Sequence, residues 1–231
     1  CYRNMKYRYS DRNNLDLRFI NHFQGDTAFD KISIEICKGS FLSKKEYCES
    51  VEIARILRRV ITKSANKHVY DICGGHGFVG ILLAALNPGV KKVYVVDIKK
   101  PLSYKRLIDA VTKVIPDISS RLEFVNRTYK DIVFQENSFL IGIPACGTLS
   151  DDIQTVAMEN NHNCVLVPCC YKKNCLPEYL AKFRNIYSLN YLIDFHRIQK
   201  AEFNSYKSSI KLIPEKITPM NKVFIFTKTQ K

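Results

Sequence analysis

Tryptophan is absent from this sequence of 231 residues, and glycine and proline are scarce, with nine and eight occurrences. So few turn formers exclude a collagen-like or low-complexity chain, and a hydrophobic share of 46% excludes a largely disordered one. No apolar run approaches the ~18 residues of a membrane-spanning helix. The amino terminus is polar, lacks an apolar signal segment and starts with Cys1 instead of Met, as in a trimmed fragment. We therefore expect a soluble, cytoplasmic protein with no membrane association.

Acidic residues are in the minority, because 22 Asp and Glu face 36 Lys and Arg, for a formal charge of +14. This excess favours a polyanion as partner, nucleic acid before an anionic membrane surface. A lysine-rich surface that only maintains solubility is the alternative. The cations expected to form a phosphate-binding track are those of residues 44–63 (with Arg55, Arg58 and Arg59), Lys99, Lys100, Arg197, Lys200, Lys207 and Lys211.

The nine cysteines are scattered through predicted strands and helices. A secreted disulfide scaffold is typically shorter and rich in loops. We therefore expect reduced thiols, most of them acting as small hydrophobic residues of the core.

Seven short apolar segments predict strands, and the first five alternate with helices, which is typical of a parallel sheet covered on both faces. The predicted strands are His68–Cys73, Lys92–Asp97, Leu122–Val125, Phe139–Ile143, Cys164–Pro168, Ser209–Ile217 and Lys222–Lys228. The predicted helices within this region are Gly77–Leu86, Leu102–Ile115, Asp151–Asn160, Leu176–Ile186 and Tyr191–Tyr206. Only residues 218–221 separate the last two strands, so these should form an antiparallel hairpin.

Before this region, the spacing of Ser43 and Glu46 is that of a capping box and predicts the start of a helix. Apolar residues recur behind it at helical spacing as far as about Lys63. Short extended pieces are expected around Lys31–Cys37. We assign residues 1–65 to an N-terminal extension with a helix, and residues 66–231 to the main domain.

The most informative stretch is residues 69–80 (VYDICGGHGFVG), where a predicted strand turns into a helix. Glycines at such a turn let the main chain approach a ligand, and the amides of the helix N-terminus point at it. Asp97 ends the next strand 20 positions after Gly77, the separation typical of a carboxylate that binds ribose hydroxyls. The combination predicts a site for an adenosine-type nucleotide, with a structural turn and a chance aspartate as the alternative.

The identity of the nucleotide is a separate question. Residues 75–80 match the dinucleotide pattern G-x-G-x-x-G, which raises NAD as a possibility. However, Asp71 would repel a pyrophosphate, whereas it could accept a hydrogen bond from an ammonium such as that of a methionine group. The closing hairpin also opposes NAD, because a dinucleotide domain is expected to continue with parallel strands.

On these residues the sequence resembles the class I S-adenosylmethionine-dependent methyltransferases, over roughly residues 66–228. Their first motif, E/D-x-G-x-G-x-G, aligns with Asp71, Cys73, Gly75 and Gly77, so that Cys73 replaces the first glycine. The resemblance implies an α/β fold, a Rossmann-like seven-stranded, mostly parallel sheet with a C-terminal antiparallel hairpin and helices on both faces. It also implies S-adenosyl-L-methionine as the cofactor and a methyltransferase activity.

The same resemblance implies the cofactor contacts. The turn from Gly75 to Gly77 would face the methionine part, and Asp97 would hold the ribose. Many members place an acid against the adenine where this chain has Thr128 and Tyr129, so one of these would substitute. The full expected set is Asp71, Cys73, Gly74, Gly75, His76, Gly77, Asp97, Ile98, Thr128, Tyr129, Pro144 and Cys146. For His76, filling a loop position is the alternative.

Residues 143–151 (IPACGTLSD) and 167–173 (VPCCYKK) follow the fourth and fifth predicted strands, at the edge where ligands sit. They are similar to the branch that includes eukaryotic tRNA 2′-O-methyltransferases and methyltransferase-like proteins. Together with the charge, this similarity favours RNA, and tRNA in particular, as the substrate; no obligate protein partner is inferred. A ribose hydroxyl would need a base or a cation, for which Asp151, Lys172 and Lys173 are the candidates.

The cysteines permit two sharper hypotheses. Cys169 could add to a pyrimidine ring as the nucleophile of cytosine C5 methylation. Zinc could bind Cys170 and Cys175 with Cys146, His162 or Cys164, although the spacing is poor and we predict no metal. The alternative to both is that these cysteines are small residues of the pocket wall.

Other functions stay open beside an RNA methyltransferase. A methyltransferase for a protein or a small molecule needs the same cofactor site. A non-catalytic RNA-binding module would keep the fold without cofactor affinity, and an NAD-dependent oxidoreductase would bind a different nucleotide.

Overall fold

A computed structural model of the chain describes residues 13–62 and 68–229. The strands within these ranges are β1 (His68–Ile72), β2 (Lys92–Val96), β3 (Leu122–Val125), β4 (Phe139–Ala145), β5 (Asn163–Pro168), β6 (Tyr206–Leu212) and β7 (Lys222–Lys228). The α-helices within them are α1 (Ala28–Gly39), α2 (Lys44–Thr62), α3 (Phe78–Leu86), α4 (Leu102–Thr112), α5 (Leu149–Glu159), α6 (Glu178–Ala181) and α7 (Leu189–Phe203). None of these helices combines the length and the apolar content needed to cross a bilayer.

All seven strands form one sheet, in the order β3-β2-β1-β4-β5-β7-β6. The pairs among β1 to β5 are parallel, whereas β7 runs antiparallel to both β5 and β6. The predicted α/β fold with its closing hairpin is thus confirmed. The order reverses between β1 and β4, and open sheets of this kind bind ligands outside the carboxyl ends of the strands at that point.

Helices cover both faces of the sheet because side chains alternate along each strand. Val69 of β1 points to the face that packs against α1 to α4, and Tyr70 points to the face that packs against α5 and α7. The core of the first face continues through α2, so the N-terminal helices share it with α3 and α4. The predicted domain boundary at residues 65 and 66 lies outside the described residues.

The N-terminal part corrects one prediction and confirms another. Lys31–Cys37, expected to be extended, lies within α1, which begins where the Thr27 hydroxyl accepts a hydrogen bond from the Asp30 amide. The predicted capping box is present, since the Ser43 hydroxyl accepts from the Glu46 amide at 3.1 Å. The Ser43 amide in turn donates to Glu46 Oε2 at 3.4 Å.

The C-terminal elements are shifted relative to the predictions. The first hairpin strand is Tyr206–Leu212 and not Ser209–Ile217, and it pairs with β7 along its whole length. Ile213 and Ile217 extended the predicted strand because they are apolar, but they are buried in the connection instead. The predicted helix Leu176–Ile186 is reduced to the four residues of α6.

Candidate functional site

The glycine-rich turn between β1 and α3 has an unusual backbone at alternating positions. Cys73, Gly75 and Gly77 have φ angles of 54°, 55° and 64°, in the left-handed region that favours glycine. These are the three glycine positions of the motif with which the sequence was aligned. A side chain at Gly77 would also place its Cβ 2.8 Å from Val95, so the turn lies tight against β2.

The backbone conformation of Cys73 is unfavourable for a residue with a side chain. A left-handed backbone costs a residue with a side chain roughly 1–2 kcal/mol, while glycine adds roughly 0.5–1 kcal/mol of backbone entropy in the unfolded chain. We therefore expect Cys73→Gly to raise the free energy of unfolding by about 0.5–1 kcal/mol, and β-branched Cys73→Val to lower it. Urea titrations of both variants test this, and a destabilised Cys73→Gly protein would contradict it.

A buried carboxylate lies beneath this turn. Asp71 is 2% exposed, and its Oδ2 accepts a hydrogen bond from the Gly80 amide at 3.3 Å. Its Oδ1 finds no hydrogen-bond partner in the described part of the chain. Burial raises the pKa of Asp71 to about 7, an effect that the Gly80 amide opposes and the nearby Asp97 charge reinforces. A buried oxygen without a partner is costly, so a cationic donor such as an ammonium would stabilise it.

A second carboxylate faces the turn from the end of β2. Asp97 Oδ2 accepts from the Gly75 amide at 3.0 Å, and its Oδ1 accepts from the Lys99 amide at 3.3 Å. The Asn126 amide group donates to the backbone carbonyls of Asp97 and Ile98, at 3.2 and 2.6 Å, which fixes this loop. A carboxylate offers about four acceptor positions, so Asp97 keeps capacity for two further donors such as vicinal hydroxyls.

The expected adenine contacts, Thr128 and Tyr129, follow β3, and the expected cofactor contact Ile98 follows β2 at the same edge of the sheet. Ile98, which directly follows Asp97, is 75% exposed. Thr128 accepts a hydrogen bond from the Lys130 amide at 3.2 Å and so caps a short 3₁₀ helix. The Tyr129 hydroxyl donates to Asp152 at 3.3 Å, which links the β3 loop to the start of α5.

Of the three remaining predicted contacts, His76 has a local role in the turn. His76 Nδ1 accepts from the Phe78 amide at 3.1 Å, and burial lowers the pKa of the imidazole, so the ring is a neutral part of the turn. This favours the loop-filling interpretation of His76. Pro144 and Cys146, at and after the end of β4, are both exposed.

Asp151, expected as a base, is instead engaged by a buried cation. Arg197 of α7 donates to Asp151 Oδ1 at 2.7 Å and to its Oδ2 at 3.3 Å, and the Arg197 side chain is 0% exposed. Both oxygens of the Asp151 carboxylate are thus engaged by the Arg197 guanidinium. The predicted place of Arg197 on a phosphate-binding track is therefore wrong, because the residue cannot reach solvent.

Arg197 belongs to a polar cluster that the sequence reasoning missed. Its guanidinium lies 3.9 Å from Asp194 and over the ring of Tyr171. Asp194 also accepts from Lys222 of β7 at 2.6 Å. Burial raises the pKa of Tyr171 most, and the Asp194 charge raises it further. The cluster holds the segment after β5 against α5, α7 and β7. Asp194 and Arg197 lie one turn apart on the buried, otherwise apolar side of α7. Two charged residues at helical spacing among buried apolar positions were the sequence signal that could have revealed this cluster.

The candidate residues after β5 lie close to the loop after β4. Lys172 is exposed, and its Nζ lies 3.7 Å from the point where a Cβ of Gly147 would be. Cys146 and Cys169 are joined in a disulfide with their Cα atoms 5.5 Å apart. This pair corrects the expectation that the cysteines are all reduced, and in this form Cys169 has no free thiol to act as a nucleophile.

The other cations of the predicted track differ in their accessibility. Lys44 is buried, and Arg55 is paired with Glu52 at 2.8 Å. Lys200 donates to Thr155 at 2.6 Å. The cations exposed to solvent include Arg58, Arg59, Lys99, Lys100, Lys207 and Lys211.

A mostly parallel sheet, a glycine turn over a buried acid and a second acid across the turn are together typical of nucleotide-binding α/β proteins. Residues 45–174, more than half of the chain, match the family model described as "Methyltransferase domain". The chain belongs to this methyltransferase-domain family. A search of curated proteins finds no match.

Solved structures support the same fold. Magnesium protoporphyrin IX methyltransferase (ChlM) from Synechocystis PCC 6803, with bound SAH, aligns with a TM-score of 0.51 and 13% identity over 93% of this chain and 100% of that one. The apo form of the S-adenosylmethionine-dependent methyltransferase SibL aligns with a TM-score of 0.51 and 11% identity over 94% of this chain. The chain spans 66% of the length of SibL, and 60% of another structure that it matches. At these identities the likeness shows the fold.

Proposed function

We propose that this protein binds S-adenosylmethionine at the glycine turn and transfers its methyl group to RNA. The observation that carries the proposal is the buried Asp71 carboxylate, with an oxygen that lacks a partner, directly under a turn whose other side faces Asp97. Membership in the methyltransferase-domain family supports it. The arrangement favours a cofactor whose ammonium can donate to Asp71 and whose ribose can donate to Asp97, over one with a pyrophosphate, which offers Asp71 no donor.

Each part of the cofactor has a residue of suitable chemistry. Asp71 would accept from the ammonium, and Asp97 would accept from the ribose hydroxyls. The adenine would lie against the exposed side chain of Ile98, within reach of the loop that carries Tyr129. The cleft would then bring the methyl group to the ends of β4 and β5.

The chemistry divides between cofactor and protein. The cofactor supplies a methyl group on a sulfonium, which a nucleophile displaces in line. The chain aligns the acceptor and excludes water. Lys172, exposed beside Gly147 at this edge, would stabilise the negative charge that develops on a ribose hydroxyl as it loses its proton. Asp151 would act indirectly, by fixing Arg197 and with it the segment that carries Lys172.

Exposed, stacked aromatic rings support RNA as the acceptor. Tyr187, which precedes α7, stacks on Tyr191, and Tyr191 stacks on Phe195 one turn further along the helix, with centroids 5.2 and 6.4 Å apart. All three are exposed, and so are Lys182 and Arg184, which precede them in the sequence. Aromatic rings of this kind stack on unpaired bases while cations contact the phosphates.

Replacing the central ring should weaken RNA binding. Base–aromatic stacking contributes about 1–3 kcal/mol, so Tyr191→Ala should raise the dissociation constant for a labelled single-stranded RNA roughly 5- to 150-fold. Phe203→Ala is the matched control, since Phe203 is 85% exposed on the same helix but outside the stack, and we expect less than a twofold effect. Equal effects of the two substitutions, or affinity that does not fall with added salt, would contradict RNA binding at this face.

Methyl transfer itself is tested with labelled cofactor. The protein is incubated with total RNA and, separately, with protein extract, and the RNA is digested to nucleosides for mass analysis. We expect label in a nucleoside of the RNA fraction. Label confined to the protein fraction would overturn RNA as the acceptor while leaving methyl transfer intact.

A further inference from the structure

Three cysteine side chains converge beside the proposed acceptor site. Cys146 follows β4, Cys169 and Cys170 follow β5, and their three Sγ atoms all lie within 4.8 Å of one another. The sheet explains this, because Ala145 pairs with Pro168 at the parallel ends of the two strands. Within residues 13–62 and 68–229, no other group of three such side chains has this geometry.

The distances and surroundings suit a metal held by thiolates. Tetrahedral zinc with Zn–S bonds of about 2.3 Å requires sulfur atoms about 3.8 Å apart. The three sulfurs lie within 4.8 Å of one another, and reduction of the Cys146–Cys169 disulfide frees two of them to separate to that distance. The Gly147 amide donates to Cys170 Sγ at 3.1 Å, a contact of the kind that orients a ligand sulfur. The Lys172 ammonium, close to Gly147, would offset the net negative charge of three thiolates around a divalent ion.

We propose that Cys146, Cys169 and Cys170 bind one Zn²⁺ through three thiolates, with a fourth coordination position open toward the acceptor edge of the cleft. This goes beyond the proposed methyl transfer, which needs no metal. Binding releases three protons, one from each thiol. The Cys146–Cys169 disulfide must first be reduced, for example by a trialkylphosphine, which takes up oxygen from water to give the phosphine oxide and two thiols.

This ligand set differs from the one considered on the sequence alone. Cys175 lies outside the cluster of three sulfurs. His162 and Cys164 lie at the amino end of β5, at the edge of the sheet opposite Cys169. Sequence spacing could not identify the set, because the register of β4 and β5 brings the ligands together.

The test measures metal content in the full chain. Protein reduced with the phosphine is equilibrated with Zn²⁺, dialysed against metal-free buffer and analysed by mass spectrometry for zinc; Co²⁺ replaces Zn²⁺ in a parallel sample for absorption spectroscopy. We expect one zinc per chain and sulfur-to-cobalt charge-transfer absorption. Cys146→Ser and Cys170→Ser should each weaken zinc binding by at least about tenfold. Cys73→Ser, which removes an exposed thiol outside the cluster, should bind zinc like the unaltered protein.

Three results would contradict zinc binding at this cysteine cluster. Less than one tenth of an equivalent of zinc, unchanged binding in Cys146→Ser and Cys170→Ser, or an equal loss in Cys73→Ser would overturn the proposal. Circular dichroism of each variant verifies that it is folded, and Cys146→Ala provides a second substitution should the serine variant unfold. Because the readout is bound metal, its failure is distinguishable from failure of methyl transfer.

Discussion

Asp97→Ala should weaken the binding of S-adenosylhomocysteine at least 100-fold. Hydrogen bonds to a charged group contribute about 1.5–3 kcal/mol each, so losing two to the ribose hydroxyls costs about 3–6 kcal/mol. The variant also loses the acceptor of the Gly75 amide, which shapes the glycine turn. Isothermal titration calorimetry of the variant and the unaltered protein measures the difference.

Two further variants separate the ribose contact from the shape of the turn. Asp97→Asn keeps an oxygen that can accept from the Gly75 amide but loses the charge, so we expect an intermediate loss of about tenfold. Asp109→Ala removes an exposed aspartate of α4 and is the control for net charge; it should bind within twofold of the unaltered protein. If Asp97→Ala bound as tightly as Asp109→Ala, Asp97 would not hold the cofactor.

Arg197→Met should lower the free energy of unfolding by about 3–5 kcal/mol. The substitution leaves Asp151 without its partner and deprives buried Asp194 of its nearest guanidinium. Removing one member of a buried pair costs this much because the remaining charge stays desolvated. Urea unfolding followed by circular dichroism gives the value.

A matched control and a double-mutant cycle identify the cause. Lys200→Met, on the same helix, removes a partly buried cation whose bond is to the Thr155 hydroxyl, and should cost less than about 1.5 kcal/mol. Combining Asp151→Ala with Arg197→Met should cost at least about 1 kcal/mol less than the sum of the single effects, since both break the same pair. Additive losses would show that Asp151 and Arg197 do not stabilise each other.

The sequence alone predicted the sheet and the glycine turn because these depend on local signals. β3 occupies Leu122–Val125 as predicted, and Asp97 directly follows β2. The motif alignment placed Cys73 at a glycine position, and its positive φ agrees with that placement. Short apolar runs bounded by glycine, proline and polar residues carry such information without any tertiary contact.

Local sequence patterns gave a wrong prediction where one segment fits both the two-residue period of a strand and the 3.6-residue period of a helix. In α1, Ile32, Ile34 and Ile36 alternate with polar residues, which is typical of a strand. The helix instead buries Ile32 and Ile36, one turn apart, while Ile34 only packs against the edge of the core. The Thr27 cap and contacts with distant elements decide the outcome, and neither follows from alternation.

The features of the site that could not be predicted depend on contacts between residues far apart in the sequence. Arg197 is 46 residues from Asp151, so neither its burial nor its role as an anchor could be read from spacing. The same is true of Cys146 and Cys169, separated by 23 residues. Both arrangements depend on how α5, α7 and the ends of β4 and β5 pack together.

The central claim, that the cleft over Asp71 and beside Asp97 holds an adenosyl cofactor with a methionine group, is tested most directly by calorimetry. Separate titrations with S-adenosylhomocysteine and NAD use the same protein sample. We expect a single S-adenosylhomocysteine site per chain and no measurable heat with NAD. No binding of S-adenosylhomocysteine, or saturable binding of NAD in its place, would contradict the assignment.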